Sequence, residues 1–100
     1  MKIVFTDQAL VSINTAFDFL AWQEIPKERI EGIFEKIFKR IEVLAQMPYI
    51  GQREYLASDP DRKYRRIVES HFKIIYYIRN DTIFITDIFD SRQDPGTMKG

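Results

Sequence analysis

The chain contains no cysteine. That excludes disulfides, thiolate metal sites and thiol nucleophiles together, and it fits a reducing compartment. Histidine occurs once, as His71, between two apolar runs where a turn is expected. A Ser–His couple with Ser70 is excluded, because adjacent residues in a strand or tight turn point in different directions. One histidine and no cysteine leave only carboxylates for a metal, and Asp59, Asp61, Asp87, Asp90 and Asp94 show no calcium-loop spacing. The four glycines form neither a P-loop nor a dinucleotide fingerprint. No metal, cofactor or catalytic set is therefore expected. No apolar run approaches the roughly 20 residues of a membrane span, and the first ten residues do not read as a secretion signal. A cytoplasmic location is expected. Nor is there an excess of charge of one sign: 15 basic residues balance 15 acidic ones. This argues against function by bulk attraction to phosphate and leaves room for a local basic patch.

What is present suits one domain over residues 1–100. Hydrophobic residues make up 45% of the chain and aromatic residues 14%, enough for one core of this size. Residues 2–5 read as a short strand. Thr6 offers a helix N-cap and Asp7 a first-turn negative charge. Leu10, Ile13, Phe17, Leu20 and Ala21 then recur with helical spacing. Pro26 breaks the pattern and suits the first turn of a second helix. That helix carries Ile30, Ile33, Phe34, Ile37, Phe38, Ile41 and Leu44 on one face, with Glu35 and Lys39 set to pair on another. Pro48 and Gly51 end it. The period then changes. Residues 64–69, 72–79 and 82–89 read as three β-strands separated by Ser70-His71 and Asn80-Asp81, an antiparallel meander. The expected fold class is α+β, in the order strand, helix, helix, strand, strand, strand, with the helical hairpin on one face of the sheet.

Two-residue turns set the cross-strand pairing and with it the two faces. Ile67 with Ile74, Arg65 with Tyr76, Ile78 with Ile83 and Tyr76 with Ile85, together with Phe72, form an apolar face for the helices. Arg65 stands out there, and a place near the sheet edge is expected for it. The opposite face carries Tyr64, Arg66, Val68, Lys73, Ile75, Tyr77, Phe84, Thr86 and Ile88. Only the tail from Ser91 remains to cover it, so an open face mixing cations and aromatic rings is expected. Basic residues also protect strand edges, and Tyr is a good β-former. Their clustering nevertheless suits stacked bases and phosphates or a docked protein segment. The densest basic cluster is Arg62, Lys63, Arg65 and Arg66, after the polar turn 58–61, and it suits contact with an acidic partner.

Leu44, Pro48, Gly51, Arg65 two before Ile67, alternating Phe72, Ile74 and Tyr76, then Ile83, Ile85, Phe89, Arg92, Gln93 and Pro95 together resemble the RelE/ParE superfamily of plasmid-stabilisation toxins. The resemblance spans nearly the whole chain. It implies the toxin of a type II toxin–antitoxin system, with a small antitoxin whose segment covers the working surface. RelE-like members cut messenger RNA in the ribosome, whereas ParE-like members inhibit DNA gyrase without being nucleases. Arg66 and Lys73 match positions where RelE-like nucleases hold cations. The RelE-like C-terminal Tyr or His-Tyr pair has no counterpart in Phe89-Asp90-Ser91-Arg92-Gln93-Asp94-Pro95 or beyond, and Arg is a poor proton donor. The ending is closer to ParE-like members. The resemblance thus implies gyrase inhibition, with a ribosome-dependent endoribonuclease or an inactive binding module as alternatives, so enzymatic activity stays open. Candidate contacts for target or antitoxin are Tyr64, Arg65, Arg66, Lys73, Tyr77, Phe84 and Arg92. Ile75, Phe84 and Ile88 are expected as exposed apolar anchors among the cations.

Overall fold

The computed structural model describes residues 1–55 and 62–93. The polar turn 58–61, with Asp59 and Asp61, and the segment from Asp94, with Pro95, lie outside the described residues. So does most of the tail from Ser91, the one segment left that could cover the second face. Strand β1 (Lys2–Phe5) leads into helix α1 (Asp7–Trp22) and helix α2 (Lys27–Leu44). Strands β2 (Gln52–Arg53), β3 (Arg65–Glu69), β4 (Phe72–Arg79) and β5 (Thr82–Asp90) come after them. The fold is α+β. Its sheet is mixed and five-stranded, in the order β1-β5-β4-β3-β2, with β1 parallel to β5 and the other pairs antiparallel. Two features differ from the expected order: β1 closes the sheet beside the last strand, and β2 adds a two-residue edge.

Thr6 caps α1 as expected. Its hydroxyl oxygen accepts from the Ala9 N–H at 3.1 Å and its hydroxyl donates to the Ile85 carbonyl at 3.1 Å. One residue thereby caps the helix and ties its start to β5. At the other end Glu24 takes φ 61, the Glu24 N–H reaches the Ala21 carbonyl and the Ile25 N–H reaches the Leu20 carbonyl. These are the two bonds of a Schellman stop, here with Glu in the left-handed position that Gly favours. Pro26 is the N-cap of α2 rather than part of its first turn.

The α2 stripe packs as expected, with Ile30, Phe34, Ile37, Ile41 and Leu44 buried, although Phe38 is exposed. The α1 stripe is corrected. Ala9, Ala16 and Leu20 are buried, while Leu10, Phe17 and Ala21 are exposed. The reason is distance. Alanines let α1 lie close against β5, where larger side chains do not fit, and the Ser12 hydroxyl oxygen there accepts the Ile88 N–H at 2.9 Å.

The main core lies between the helices and one face of the sheet, formed by Ile67, Phe72, Ile74, Tyr76, Ile83, Ile85 and Ile88 against the helix stripes. The expected pairings Ile67–Ile74, Arg65–Tyr76, Ile78–Ile83 and Tyr76–Ile85 are all present. Past them the register shifts: Tyr76 pairs with Ile85 but Ile75 pairs with Asp87, leaving Thr86 as the extra residue of a bulge. A bulge exchanges the faces of the residues beyond it in the strand. Ile88 therefore pairs with Ile74 in the main core, not on the opposite face, and Phe89 takes the opposite side across from Lys73. Asn80 and Asp81 both adopt positive φ, 51° and 57°, as a primed two-residue turn requires. Among the described residues no helix is long and apolar enough to cross a membrane.

Candidate functional site

The helix-facing side of the sheet is tied to the chain after α2 by a compact hydrogen-bonded clamp. The Tyr76 hydroxyl donates to the Pro48 carbonyl at 2.8 Å and accepts from the Gly51 N–H at 3.0 Å. The Arg65 guanidinium donates to the Gly51 carbonyl at 2.8 Å and lies 5.3 Å from the centre of the Tyr49 ring. Gly51 admits no side chain. A Cβ there would stand 2.4 Å from the Tyr76 hydroxyl oxygen and 2.9 Å from the Arg66 carbonyl oxygen. Burial raises the Tyr76 hydroxyl above the ordinary tyrosine value, against the lowering effects of the Gly51 contact and of Arg65 and Arg40. Arg65 is thus near the sheet edge as expected, one strand in from β2, but it holds backbone carbonyls on the helix side.

The other face of β3, β4 and β5 is not the open apolar surface expected. Tyr64, Ile75, Tyr77 and Phe89 form a second buried cluster, with Phe84 half-buried against it. Ile75 is 0% exposed, so it does not serve as an exposed anchor. The Tyr77 ring is the hub. Phe84 stacks on it at 5.1 Å with planes 17° apart, Tyr64 meets it edge-on at 5.5 Å, and the Arg62 guanidinium lies 4.6 Å from its centre. Ring–ring and cation–ring contacts of this geometry add to simple burial. The Arg62 guanidinium also reaches the Tyr64 hydroxyl at 3.4 Å.

Arg66 points to the β2 edge of this face. Its guanidinium donates to the Arg53 carbonyl at 2.9 Å and to Gln52 Oε1 at 2.9 Å, and lies 3.5 Å from the buried Glu54 carboxylate. Lys73 is half-buried between its cross-strand partners Val68 and Phe89. The basic cluster expected at 62–66 therefore splits: Arg62 and Arg66 serve the aromatic face, and Arg65 serves the opposite one. Arg92 lies in the turn after β5. It grips the fully buried Asp90 through two nitrogens at 2.6 and 2.9 Å, its own N–H donates to the same carboxylate at 2.8 Å, and the Gln93 side chain accepts the Asp90 N–H. Burial pushes the Asp90 carboxyl up, but the bonds from the Arg92 side chain and backbone outweigh it and hold the carboxyl below the usual range.

Of the seven candidate residues, the fold brings Tyr64, Arg66, Lys73, Tyr77 and Phe84 to one face, and places Arg65 and Arg92 on the helix side. The part played by β2 was not foreseen from the sequence: Arg53 lies 5.6 Å from the ring centre of Tyr55, and both are exposed. The signal was a cation and an aromatic two residues apart, the spacing of one strand face. Among the described residues no group of three or more His, Asp or Glu side chains is placed to hold a metal. The arrangement is chemically suited to binding, through aromatic planes and the rims of held cations.

A family model described as the ParE toxin of the type II toxin–antitoxin system parDE matches residues 3–95. Among solved structures, the chain is similar to one from the chromosomal ParDE TA system of P. aeruginosa, with 17% identity and a TM-score of 0.69. That match covers 90% of this chain and 95% of the other. At this identity the likeness establishes the fold. No curated protein matches the chain in sequence.

Proposed function

The chain belongs to the ParE toxins of type II toxin–antitoxin systems, and from that premise we propose that it arrests growth by binding DNA gyrase in the cytoplasm and is neutralised by a cognate antitoxin. The observation that carries the choice of gyrase over messenger RNA is the state of Arg66. A cation that stabilises a cleaved phosphate must turn its donors towards the substrate. Arg66 commits its donors to Arg53, Gln52 and Glu54 and serves as a strut between β3 and β2. The hydroxyl-bearing rings Tyr64 and Tyr77 are buried rather than poised for proton transfer. The face as a whole suits a protein partner: half-buried Phe84 and exposed Val68 offer apolar contact, with held cations at the rim. The antitoxin and the target compete for it in this reading.

Purified gyrase in a supercoiling assay tests the proposal. Inhibition that rises with toxin and is relieved by the antitoxin is expected. Unimpaired supercoiling at saturating, folded toxin would sink it. Primer extension on translating messages then decides the alternative: cleavage in the ribosomal A site, lost in an Arg66→Ala Lys73→Ala double variant, would assign the chain to the RelE-type reaction.

A further inference from the structure

On helix α2 three of the five cations gather on one flank, while Lys27 and Lys39 lie beside the acidic residues and Lys39 pairs with Glu35 at 3.3 Å. At about 100° per residue, Arg29, Lys36 and Arg40 fall within about 40° of one another around the axis. Glu28, Glu31, Glu35 and Glu42 fall within about 60° on the other flank. The basic flank borders a cleft of about 560 Å³ between α2 and the turn joining β3 to β4. Arg29 and Lys36 line one wall, and His71 and Arg92 the other. Among the described residues no carboxylate lines it, and Asp90, the acid paired with Arg92, is fully buried beneath it. Ile25 and Ile33 give the cleft an apolar part.

A second observation is independent of charge. Gly32 lies in the middle of α2 and on the cleft lining. A glycine inside a helix costs stability relative to alanine and usually marks a close approach. Here there is none, because a Cβ on Gly32 would meet nothing within 4 Å. Packing does not account for the missing side chain. What it does is keep open the wall between Arg29 and Lys36.

We propose that this cleft is a binding site for a short acidic peptide segment, with carboxylates held by Arg29 and Lys36 and an apolar side chain seated on Ile25 and Ile33. Arginine and lysine two helical turns apart hold carboxylates of a flexible segment without demanding one geometry. The apolar part favours a peptide over a phosphate backbone, which offers nothing to bury there. The site rests on charge and shape alone and stands whether the toxin's target is gyrase or the ribosome.

Fluorescence anisotropy of the full chain with a labelled peptide Gly-Glu-Leu-Glu-Gly-Glu tests this. Binding is expected to weaken on added salt and to be at least about tenfold weaker for the Gln counterpart, as lost charge pairing requires. Gly32→Glu puts a carboxylate into the cleft and should weaken peptide binding by about tenfold or more. Gly32→Ala should raise the melting temperature by about 4 °C, since its methyl meets nothing in the free chain. Equal binding of the Glu and Gln peptides, or unchanged binding by a folded Gly32→Glu, would overturn the proposal. So would displacement of the peptide by an equimolar uridine oligonucleotide, which would make the cleft a phosphate site.

Discussion

Tyr76 and Tyr77 are neighbours in β4 and serve opposite ends. Tyr76 faces the helices, fully buried, and its hydroxyl holds the Pro48 carbonyl and the Gly51 N–H. Tyr77 faces the other way, its ring between the Arg62 guanidinium and the ring of Phe84. The first environment is made of directional bonds with one solution, which suits holding a chain in place. The second is made of stacked planes and a cation, which tolerate different partners and suit recognition. Pro48, Gly51, Arg65 and Tyr76, among the residues that made the family recognisable in the sequence, belong to the first, while Phe89 from the same set belongs to the second. The residues proposed to meet a partner belong to the second. Family likeness in this chain therefore reports mostly on how it folds, and the target has to be argued from the other face.

That division can be broken from the stability side first. Gly51→Ala should have the largest effect, a loss of about 3 kcal/mol, because its methyl would overlap both the Tyr76 hydroxyl and a backbone carbonyl. Thermal denaturation checks it, and a fall of less than a few degrees would mean that the clamp yields easily. Tyr76→Phe should cost about 2 kcal/mol by leaving the buried Gly51 N–H without its acceptor. If denaturant unfolding of Tyr76→Phe matches the parent, the clamp is not what holds the segment after α2.

The Asp90–Arg92 pair sharpens the comparison through pH. The Asp90 carboxyl lies below its usual value when folded, so its contribution is fully present above the unfolded value of about 4 and is lost as pH falls below it. Arg92→Ala should cost about 1 kcal/mol at neutral pH, a figure reduced because the guanidinium is half exposed. It should also flatten the acid limb of the stability curve. An unchanged acid limb would assign that limb to other carboxylates.

Most of the helix-side architecture was legible in the sequence because periodicity and turn residues act locally. The α2 stripe, the Thr6 cap and the Asn80-Asp81 turn needed no tertiary knowledge. What failed depended on space. Ala9 and Ala16 won the buried positions of α1 over Phe17 because small side chains allow close approach. The bulge at Thr86 moved Ile88 into the main core, and a pairing pattern carried straight through two turns has no means of showing one extra residue. The pair Gln52–Arg53 is too short to show any period, so the strut that engages Arg66 was not visible. The cations and rings of the second face were legible as a set. Their mutual contacts were not: Tyr64, Ile75, Tyr77 and Phe89 form a buried cluster with Phe84 half-buried against it, in place of the expected open surface.

From the binding side, Arg66→Glu should slow association with the antitoxin and reduce its salt dependence, and it should also lower stability, because it removes a partner of the buried Glu54 and sets a second carboxylate beside it. Stopped-flow mixing at two salt concentrations measures it. A change confined to dissociation would place Arg66 at the centre of the interface rather than its rim.

The most direct test of the separation between the two faces is the antitoxin dissociation constant of Phe84→Ala, taken alongside its melting temperature. Phe84 is half-buried and stacked on Tyr77, and its loss should weaken the complex by about 2 kcal/mol, roughly thirtyfold, in a chain that still folds. Native affinity in the folded fraction, together with a large drop in melting temperature, would show that the second face is core rather than binding surface and would contradict the account.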